Sequence, residues 1–445
     1  MKHRFKKFVF LIGDLFVLHA ALALTLFVRY NLISGMSGIS PYWQAHWRYF
    51  AGVFIIFIIS FYINDLYSLR RMASARLFAR RTISSVVAAS LLSVIYFYIY
   101  PRVDIAPKTT LFIFSVIALI GFLIWRRLAF WLTRTETWKN NLGIIGYNER
   151  TEALIADLQT HPSLGYQTAL IFKDLAELKT LIEKVKDNNI RTIVIADDFN
   201  GNPELRQTLF SLLHYQVTFF SFTDFYEQVN QKIPLESINQ SWFLENLREG
   251  DKNYFDACKR LSDSILAVIV FVISLPLWPL IALAVILSSR GPVFFIQERV
   301  GKNGRTFKLY KFRTMRVANN NYGMTVENDK RVTDTGRFLR ASRLDEIPQL
   351  TNIIKGEMSF IGPRPERPEL SAELEKQIPF YTTRLLIKPG LTGWDQISGE
   401  YHSPSVEDTF KKLQNDLYYI KHRSLYLDAS IVLKTVATVL SRGGR

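Results

Sequence analysis

Four long apolar runs within the first 135 residues constrain the fold of this chain more than any other feature. Each run approaches the length of about 20 residues that an α-helix needs to cross the hydrocarbon core of a bilayer. Lipid offers no partners to backbone amides and carbonyls, so such runs must fold as helices. We therefore predict a four-span transmembrane domain over residues 1–135, with spans at Phe8–Val28, Tyr49–Leu66, Thr82–Tyr100 and Thr109–Trp125.

The basic residues predict how these spans are oriented. The chain carries 55 Lys and Arg residues against 39 Asp and Glu residues, a formal net charge of +16. Cytoplasmic loops are enriched in Lys and Arg, and clusters stand before the first span, after the second and after the fourth. We predict a multi-pass protein of the cytoplasmic (inner) membrane whose N-terminus faces the cytoplasm. The charge favours anionic membrane lipid or phosphorylated substrates as partners over nucleic acid, which we do not expect to bind.

Between residues 136 and 227 the pattern changes to short apolar strands that alternate with helical segments. Such alternation is typical of a parallel, doubly wound sheet. We predict a Rossmann-like α/β domain over 136–227, followed by a linker over 228–258. The predicted strands are Asn141–Tyr147, Thr168–Lys173, Arg191–Asp198 and Val217–Phe222, and the predicted helices are 149–158, 175–186 and 203–214.

The first turn of this domain lies where a dinucleotide-binding fingerprint would lie. It contains Gly143, Gly146 and Asn148, but it lacks a third glycine, and no convincing acidic residue follows the second strand. Two interpretations remain open: a module that senses a nucleotide, and a scaffold that mediates assembly. The missing glycine favours the scaffold, a degenerate nucleotide-binding domain.

A fifth apolar segment, Ser264–Leu287, is long enough to cross the membrane but is interrupted by Pro276 and Pro279. Each proline removes an amide donor and bends a helix, and Ser274 is placed to bond a freed carbonyl. The segment either crosses the membrane or returns to the same surface as a re-entrant helix over about 262–289. The residues alone leave both topologies open.

A basic β-hairpin is predicted from Phe294 to Met315, around the turn Lys302-Asn303-Gly304. Apolar and cationic residues alternate along it, as in strands with one buried face. So many cations beside a membrane segment favour contact with lipid headgroups or with substrate phosphates. The cations are Arg299, Lys302, Arg305, Lys308, Lys311, Arg313 and Arg316.

Asp345 and Glu346 are the candidate catalytic residues, at the predicted start of a helix that Ser342 caps and Gly356 ends. An ionised aspartate can attack phosphorus, and an adjacent glutamate can hold a Mg²⁺ ion that neutralises a diphosphate. Acidic residues at a helix start are also ordinary capping residues, and this alternative remains open.

Arginines around the acidic pair favour the catalytic interpretation. Arg340 lies shortly before the pair, and the loop Gly362-Pro363-Arg364-Pro365 is followed closely by Arg367. Prolines and glycines that preset a loop lower the cost of aiming a guanidinium group at a phosphate. We therefore predict that Arg364 and its neighbours bind substrate phosphates.

Four motifs in the second half of the chain resemble those of one enzyme family, the bacterial polyprenyl-phosphate sugar-1-phosphate transferases. This family belongs to the monotopic phosphoglycosyl transferases, and the spans and α/β domain resemble its large members. The resemblance implies an α+β catalytic domain over 259–445 with a re-entrant helix broken at Pro276. The motifs are KRLSD (259–263), GPVFFIQERVGKNGRTFKLYKFRTM (291–315), RLDEIPQLTNIIKGEMSFIGPRPERPE (343–369) and KPGLTGW (388–394).

The resemblance also implies a two-step reaction. Asp345 attacks the β-phosphate of a UDP-sugar, UMP leaves, and undecaprenyl phosphate then takes the sugar phosphate from the enzyme. Glu346 matches the family's Mg²⁺-binding residue, and Mg²⁺ is the expected cofactor. Arg340 and Arg364 match positions near the donor phosphates, while Lys308 and Lys311 lie in the family's basic strand.

The expected sugar is glucose, with galactose next, and the expected product starts an exopolysaccharide, capsule or O-antigen repeat unit. A homodimer and downstream glycosyltransferases are the expected protein partners. Gly399 is followed by Glu400, where many family members carry an arginine nearby, so one donor contact has no candidate. The rival hypothesis is a catalytically idle membrane scaffold that recruits polysaccharide-assembly proteins, and the intact Asp345-Glu346 pair counts against it.

Overall fold

The computed structural model describes most of the chain as two compact units, residues 1–225 and 226–445. The prediction about Glu400 and part of the predicted helix 175–186 lie outside the described residues. The four predicted domain ranges stay a prediction. The described residues are 2–33, 40–72, 74–99, 107–133, 135, 138–173, 180–196, 203–247, 249–316, 329–398 and 405–440.

Helices fill the beginning of the first unit. Within the described ranges four helices are long and apolar enough to cross a membrane, which confirms the predicted membrane helices. Their facing sides bury aromatic rings such as Phe57, Phe114 and Phe122, while Leu91, Ile95 and Ile124 stay exposed on the outside. The helices are α1 (Lys2–Leu26, continued by a π-helix Phe27–Ile33), α2 (Ser40–Ile63), α3 (Ala75–Ile99) and α4 (Pro107–Leu132).

A buried ion pair joins the first and last of these helices. Arg126 Nη2 donates to Asp14 Oδ2 over 2.5 Å, and the two side chains are 2% and 0% exposed. The Arg126 guanidinium also lies over the rings of Phe61 and Phe78. A charge inside a membrane bundle is tolerated when it is paired, so these residues serve as an interhelical contact.

The α/β region forms a four-stranded sheet in the described residues, with all strands parallel and in the order β2-β1-β3-β4. The chain starts at an inner strand and adds strands on both sides, which confirms the predicted doubly wound sheet. The strands are β1 (Asn140–Ile145), β2 (Tyr166–Phe172), β3 (Thr192–Ile195) and β4 (Thr218–Ser221), and the helices are α5 (Glu149–Thr160), α6 (Leu181–Asp187), α7 (Pro203–Ser211) and α8 (Phe222–Asn230).

The turn after β1 favours the degenerate interpretation of this domain. Asn148 Oδ1 accepts the Thr151 amide over 2.9 Å, and the Thr151 hydroxyl accepts the Asn148 amide over 2.9 Å. This reciprocal capping box satisfies amides at the start of α5. A phosphate bound at this helix start would need the same amide donors, which the capping box already occupies.

The second unit combines helices with two small pairs of strands. Strands β5 and β6 form the predicted antiparallel hairpin, and β7 pairs with β8 in parallel. Its elements are α9 (Gln240–Asn246), α10 (Asn253–Ser274), α11 (Leu277–Ser288), β5 (Phe294–Val300), β6 (Thr306–Phe312), α12 (Asp334–Ala341), α13 (Leu350–Lys355), β7 (Ser359–Ile361), α14 (Pro368–Gln377), β8 (Gly390–Thr392), α15 (Trp394–Ile397), α16 (Val406–His422) and α17 (Leu425–Leu440).

Helices α10 and α11 form a single apolar segment that bends by 64°. The bend lies at Pro276, whereas Pro279 occupies the first turn of α11, where a missing amide costs little. Ser274 Oγ donates to the Phe271 carbonyl over 2.8 Å and accepts the Trp278 indole N–H over 3.1 Å. The prediction that Ser274 bonds a carbonyl freed by a proline is therefore wrong, because the Phe271 carbonyl also accepts the Leu275 amide.

Candidate active site

The acidic pair lies in a short 3₁₀ helix, Leu344–Gln349, which Arg343 precedes in the left-handed conformation with φ of +57°. The predicted cap by Ser342 is wrong, because Ser342 ends α12 and its hydroxyl donates back to the Phe338 carbonyl over 2.8 Å. Gly356 does end the following helix α13, at φ of +86°. The turn at Arg343 thus separates the pair from α12, and both carboxylates are buried within the second unit.

Glu346 is buried in a ring of cations. Its Oε1 lies 2.7 Å from Lys311 Nζ, 3.6 Å from Arg364 Nη2 and 3.9 Å from Arg343 Nη1. Burial alone would raise the pKa of Glu346, but the charges of Lys311 and Arg364 lower it to about 2. Glu346 is therefore a fixed negative charge at every pH at which the protein is expected to work.

Asp345 is equally buried but is differently placed. Within the described part of the chain its Oδ1 has no hydrogen-bond partner. Burial first, and the negative charge of Glu346 second, raise the pKa of Asp345 to about 6. A carboxylate that is largely ionised at neutral pH, yet poorly stabilised by its surroundings, has the properties of a nucleophile.

The hairpin brings Lys311 to the pair but not Lys308. Successive residues of a strand point to opposite faces, so Lys308 and Lys311 on β6 lie on different sides. Lys308 is exposed and stands opposite Glu298 on β5. Of the two lysines, Lys311 contacts the acidic pair, and the predicted phosphate contacts of Lys308 and Lys311 stay a prediction.

Arg340 lies close enough to Asp345 for their charges to interact, and its predicted contact with donor phosphates stays a prediction. Its Nε donates to the Thr314 hydroxyl over 2.8 Å. Burial lowers the pKa of Arg340, and the charge of Asp345 opposes that shift. Thr314 itself was missed by the sequence analysis, because a single threonine among hairpin cations carries no signal of its own.

Arg313 and Arg367 have surroundings that the sequence did not predict. Arg313 donates to the carbonyls of Ser289 and Arg290 over 2.6 and 3.1 Å, and so holds the end of α11. Arg367 directly precedes α14. Burial is the main cause of the lowered pKa of Arg299, and the positive charge of Arg367 lowers it further. The structure thus gives Arg313 a contact that braces the end of α11, and the predicted phosphate contacts of Arg313 and Arg367 stay a prediction.

The loop that carries Arg364 is held tightly. The Gly362 amide donates to the Thr392 carbonyl over 2.9 Å, and the Gly390 amide donates to Pro363 over 3.0 Å. A Cβ added to Gly362 would lie 2.4 Å from the Lys388 carbonyl oxygen, so no other residue fits there without a backbone shift. The rigid loop predicted from glycine and proline is confirmed, and it places Arg364 next to Glu346.

The fold and the site together define a membrane protein in which a buried acidic pair is surrounded by cations, in a unit that also contains a broken apolar helix. Residues 254–442 match the family model described as bacterial sugar transferase, and residues 62–208 match a model described as CoA-binding domain. The resemblance drawn from the sequence motifs is thereby confirmed.

Named relatives agree with this match. A Xanthomonas campestris pv. campestris protein named UDP-glucose:undecaprenyl-phosphate glucose-1-phosphate transferase is 38% identical, over 60% of this chain and 57% of its own length. An Aeromonas hydrophila protein named UDP-N-acetylgalactosamine-undecaprenyl-phosphate N-acetylgalactosaminephosphotransferase is 43% identical, over 42% of this chain and 44% of its own. An Escherichia coli (strain K12) protein with the same name as the first is 32% identical, over 65% and 68%. The chain belongs to the bacterial sugar transferase family.

Proposed function

We propose that this chain transfers a hexose-1-phosphate from a UDP-sugar to undecaprenyl phosphate, releases UMP and so starts the assembly of an exopolysaccharide, capsule or O-antigen repeat unit. The observation that carries the proposal is the buried Asp345 Oδ1, which has no hydrogen-bond partner among the described residues and lies next to the cations around Glu346. Relatives named for UDP-glucose, for UDP-N-acetylgalactosamine and for undecaprenyl phosphate support the donor and acceptor classes.

The proposed mechanism has two displacements at one phosphorus atom. In the first, Asp345 Oδ1 forms a bond to the β-phosphorus, the bond from that phosphorus to the bridging oxygen breaks, and UMP leaves with the electron pair. In the second, an oxygen of undecaprenyl phosphate attacks the same phosphorus and Asp345 leaves as a carboxylate. Lys311, Arg340 and Arg364 balance the negative charge of the phosphates.

We propose Mg²⁺ as the cofactor, with Glu346 and the donor diphosphate as its ligands. Within the described residues no group of three or more His, Cys, Asp or Glu side chains has the arrangement of a metal site. Mg²⁺ nevertheless commonly binds one or two carboxylates together with substrate phosphates, and the adjacent carboxylates of Asp345 and Glu346 fit that pattern. When bound, the ion would neutralise charge on the diphosphate.

The bent helix pair is proposed to be re-entrant, with the catalytic domain on the cytoplasmic side. Both arms pack on the same hairpin: Ala267 of α10 clusters with Leu309, and Ile281 of α11 clusters with Phe312. The hairpin also carries buried and exposed charges, which need water nearby. If the pair crossed the membrane, one arm would be separated from this polar hairpin. The outer faces expose large apolar residues for lipid, including Ile269, Ile273, Leu280, Leu283 and Leu287.

Cysteine labelling tests this topology. The chain has a single cysteine, Cys258, so a Cys258→Ser background permits single cysteines to be introduced. Tyr254 is 83% exposed at the start of α10, and Arg290 is exposed just after α11. We expect Tyr254→Cys and Arg290→Cys to react with an impermeant maleimide from the same side of sealed vesicles. Ile273→Cys, near the bend, should react from neither side, and labelling of the first two from opposite sides would show a crossing helix.

Release of UMP tests the activity. We expect the full-length chain, with Mg²⁺ and undecaprenyl phosphate, to release UMP from at least one of UDP-glucose, UDP-galactose and UDP-N-acetylgalactosamine, and most rapidly from UDP-glucose. Extraction of the lipid should recover the sugar as a diphosphate-linked product in amounts equal to the UMP. An idle scaffold would release no UMP from any of the three donors, and that result would reject the proposal.

A further inference from the structure

The loop that aims Arg364 is anchored through its carbonyl groups. Pro363 and Pro365 have no amide N–H, so this segment contributes few donors of its own. In the structure the carbonyls of residues 363–366 each accept a hydrogen bond from outside the loop. The donors are the Gly390 amide to Pro363, the Arg384 guanidinium to Arg364, the Arg299 guanidinium to Pro365 and the Val300 amide to Glu366.

Arg384 supplies the bond at the central residue. It lies in a 3₁₀ helix, Tyr381–Leu386, and is only 5% exposed. Its Nη2 donates to the Arg364 carbonyl over 2.9 Å, and its Nη1 donates to the Tyr381 hydroxyl over 2.9 Å. Its Nε and Nη2 lie 3.1 and 3.0 Å from Asp416 Oδ2 on helix α16. All three nitrogens of the buried guanidinium group therefore have partners within the protein.

We infer that Arg384 is a positioning residue for Arg364. The buried Arg384–Asp416 pair fixes the Arg364 carbonyl, and the two flanking prolines leave the Arg364 backbone little freedom to turn. The Arg364 side chain, 47% exposed, is thereby held with its Nη2 at 3.6 Å from Glu346, on the side where a phosphate would bind. This inference rests on the proposed function, because Arg364 is expected to contact the donor diphosphate.

The planar guanidinium group explains why arginine, and not lysine, can hold the Arg364 carbonyl. One guanidinium bonds a carboxylate and a carbonyl at once, whereas the single nitrogen of lysine cannot keep both contacts in this geometry. Arg384→Lys should retain the charge opposite Asp416 and release the Arg364 carbonyl. Tyr381→Phe is the matched control, since it removes another acceptor of the same guanidinium and leaves the bond to Arg364 in place.

A double-mutant cycle with Arg364→Ala tests the inference. We expect Arg384→Lys to lower kcat for UMP release by roughly 10- to 100-fold, because small displacements of positioned groups have effects of that size. In the Arg364→Ala background the same change should alter kcat by less than about twofold, and Tyr381→Phe should have little effect in either background. Equal losses in both backgrounds, with a lowered Tm, would mean a merely structural role and overturn the inference.

An alternative variant and a binding measurement complete the test. Should Arg384→Lys fail to accumulate, Arg384→Gln combined with Asp416→Asn removes the charge pair as a unit and enters the same cycle. Equilibrium binding of UDP, measured for the same four proteins, gives the coupling without turnover. Wild-type protein that releases no UMP from any donor rejects the proposed function, whereas active wild-type protein with additive losses rejects only the role of Arg384.

Discussion

Replacing Asp345 with asparagine is expected to abolish UMP release, by roughly 10⁴-fold or more, while the protein still inserts in the membrane. The amide keeps the shape of the side chain but has no charge and no nucleophilic oxygen. Losses of this size are typical when a covalent nucleophile is removed. The measurement is single-turnover UMP release with saturating UDP-glucose, compared with wild-type protein prepared in the same way.

The same variant should not be less stable than the wild type. The pKa of Asp345 is raised from 3.8 to about 6, chiefly by burial. A raised acid pKa means that the ionised group is less favourable in the folded state than in the unfolded state, so above pH 6 its charge opposes folding. Asparagine removes that opposition. An inactive variant whose Tm is equal or higher would separate loss of the nucleophile from loss of the fold.

Trapping the intermediate completes this test. Wild-type protein incubated with UDP-glucose labelled in the β-phosphate, without acceptor, should retain label on the polypeptide at Asp345, and Asp345→Asn should retain none. The rate of labelling should fall tenfold per pH unit below about pH 6, because only the ionised carboxylate attacks and it is lost as pH falls through the pKa. Unchanged UMP release by the variant, or label on another residue, would remove Asp345 as the nucleophile.

Periodic and turn-based features could be predicted from the sequence because they depend on local physics. The four apolar spans, the hairpin turn at Lys302-Asn303-Gly304 and the C-terminal glycine of α13 follow from burial and from backbone conformation alone. The parallel sheet followed from alternating strands and helices. The residues that determine each of these elements lie within the element itself or directly beside it in the sequence.

Side-chain partners that are far apart in sequence could not be predicted in the same way. Serine is a common N-cap residue, so Ser342 was predicted to start the helix of the acidic pair. In the structure Ser342 ends α12, because the chain turns through the left-handed conformation of Arg343 directly after it. The pattern of hairpin cations did not predict that Arg313 donates to the carbonyls of Ser289 and Arg290 at the end of α11. Arg384 carries no motif, and its role depends on Arg364, 20 residues away, and on Asp416, 32 residues away.

Replacing Glu346 with glutamine should lower UMP release by about 100-fold or more and also destabilise the protein. Glu346 is 9% exposed and its partner Lys311 is 19% exposed, so the change leaves an ammonium group with little access to water. Removing one member of such a pair typically costs about 3–5 kcal/mol. The proposed loss of a Mg²⁺ ligand adds a separate effect on the reaction, so one variant alone does not distinguish the two causes.

Combining Glu346→Gln with Lys311→Met separates structure from chemistry. The double variant removes both charges of the Lys311–Glu346 pair, while Arg343 and Arg364, at 36% and 47% exposed, keep access to water. We therefore expect its Tm to return close to that of the wild type, because neutral, packed replacements of buried pairs are well tolerated. UMP release should stay low and should need more Mg²⁺ for half-maximal rate. If activity returned together with stability, Glu346 would serve only to neutralise Lys311, and the proposed metal ligand would have to be sought elsewhere in the site.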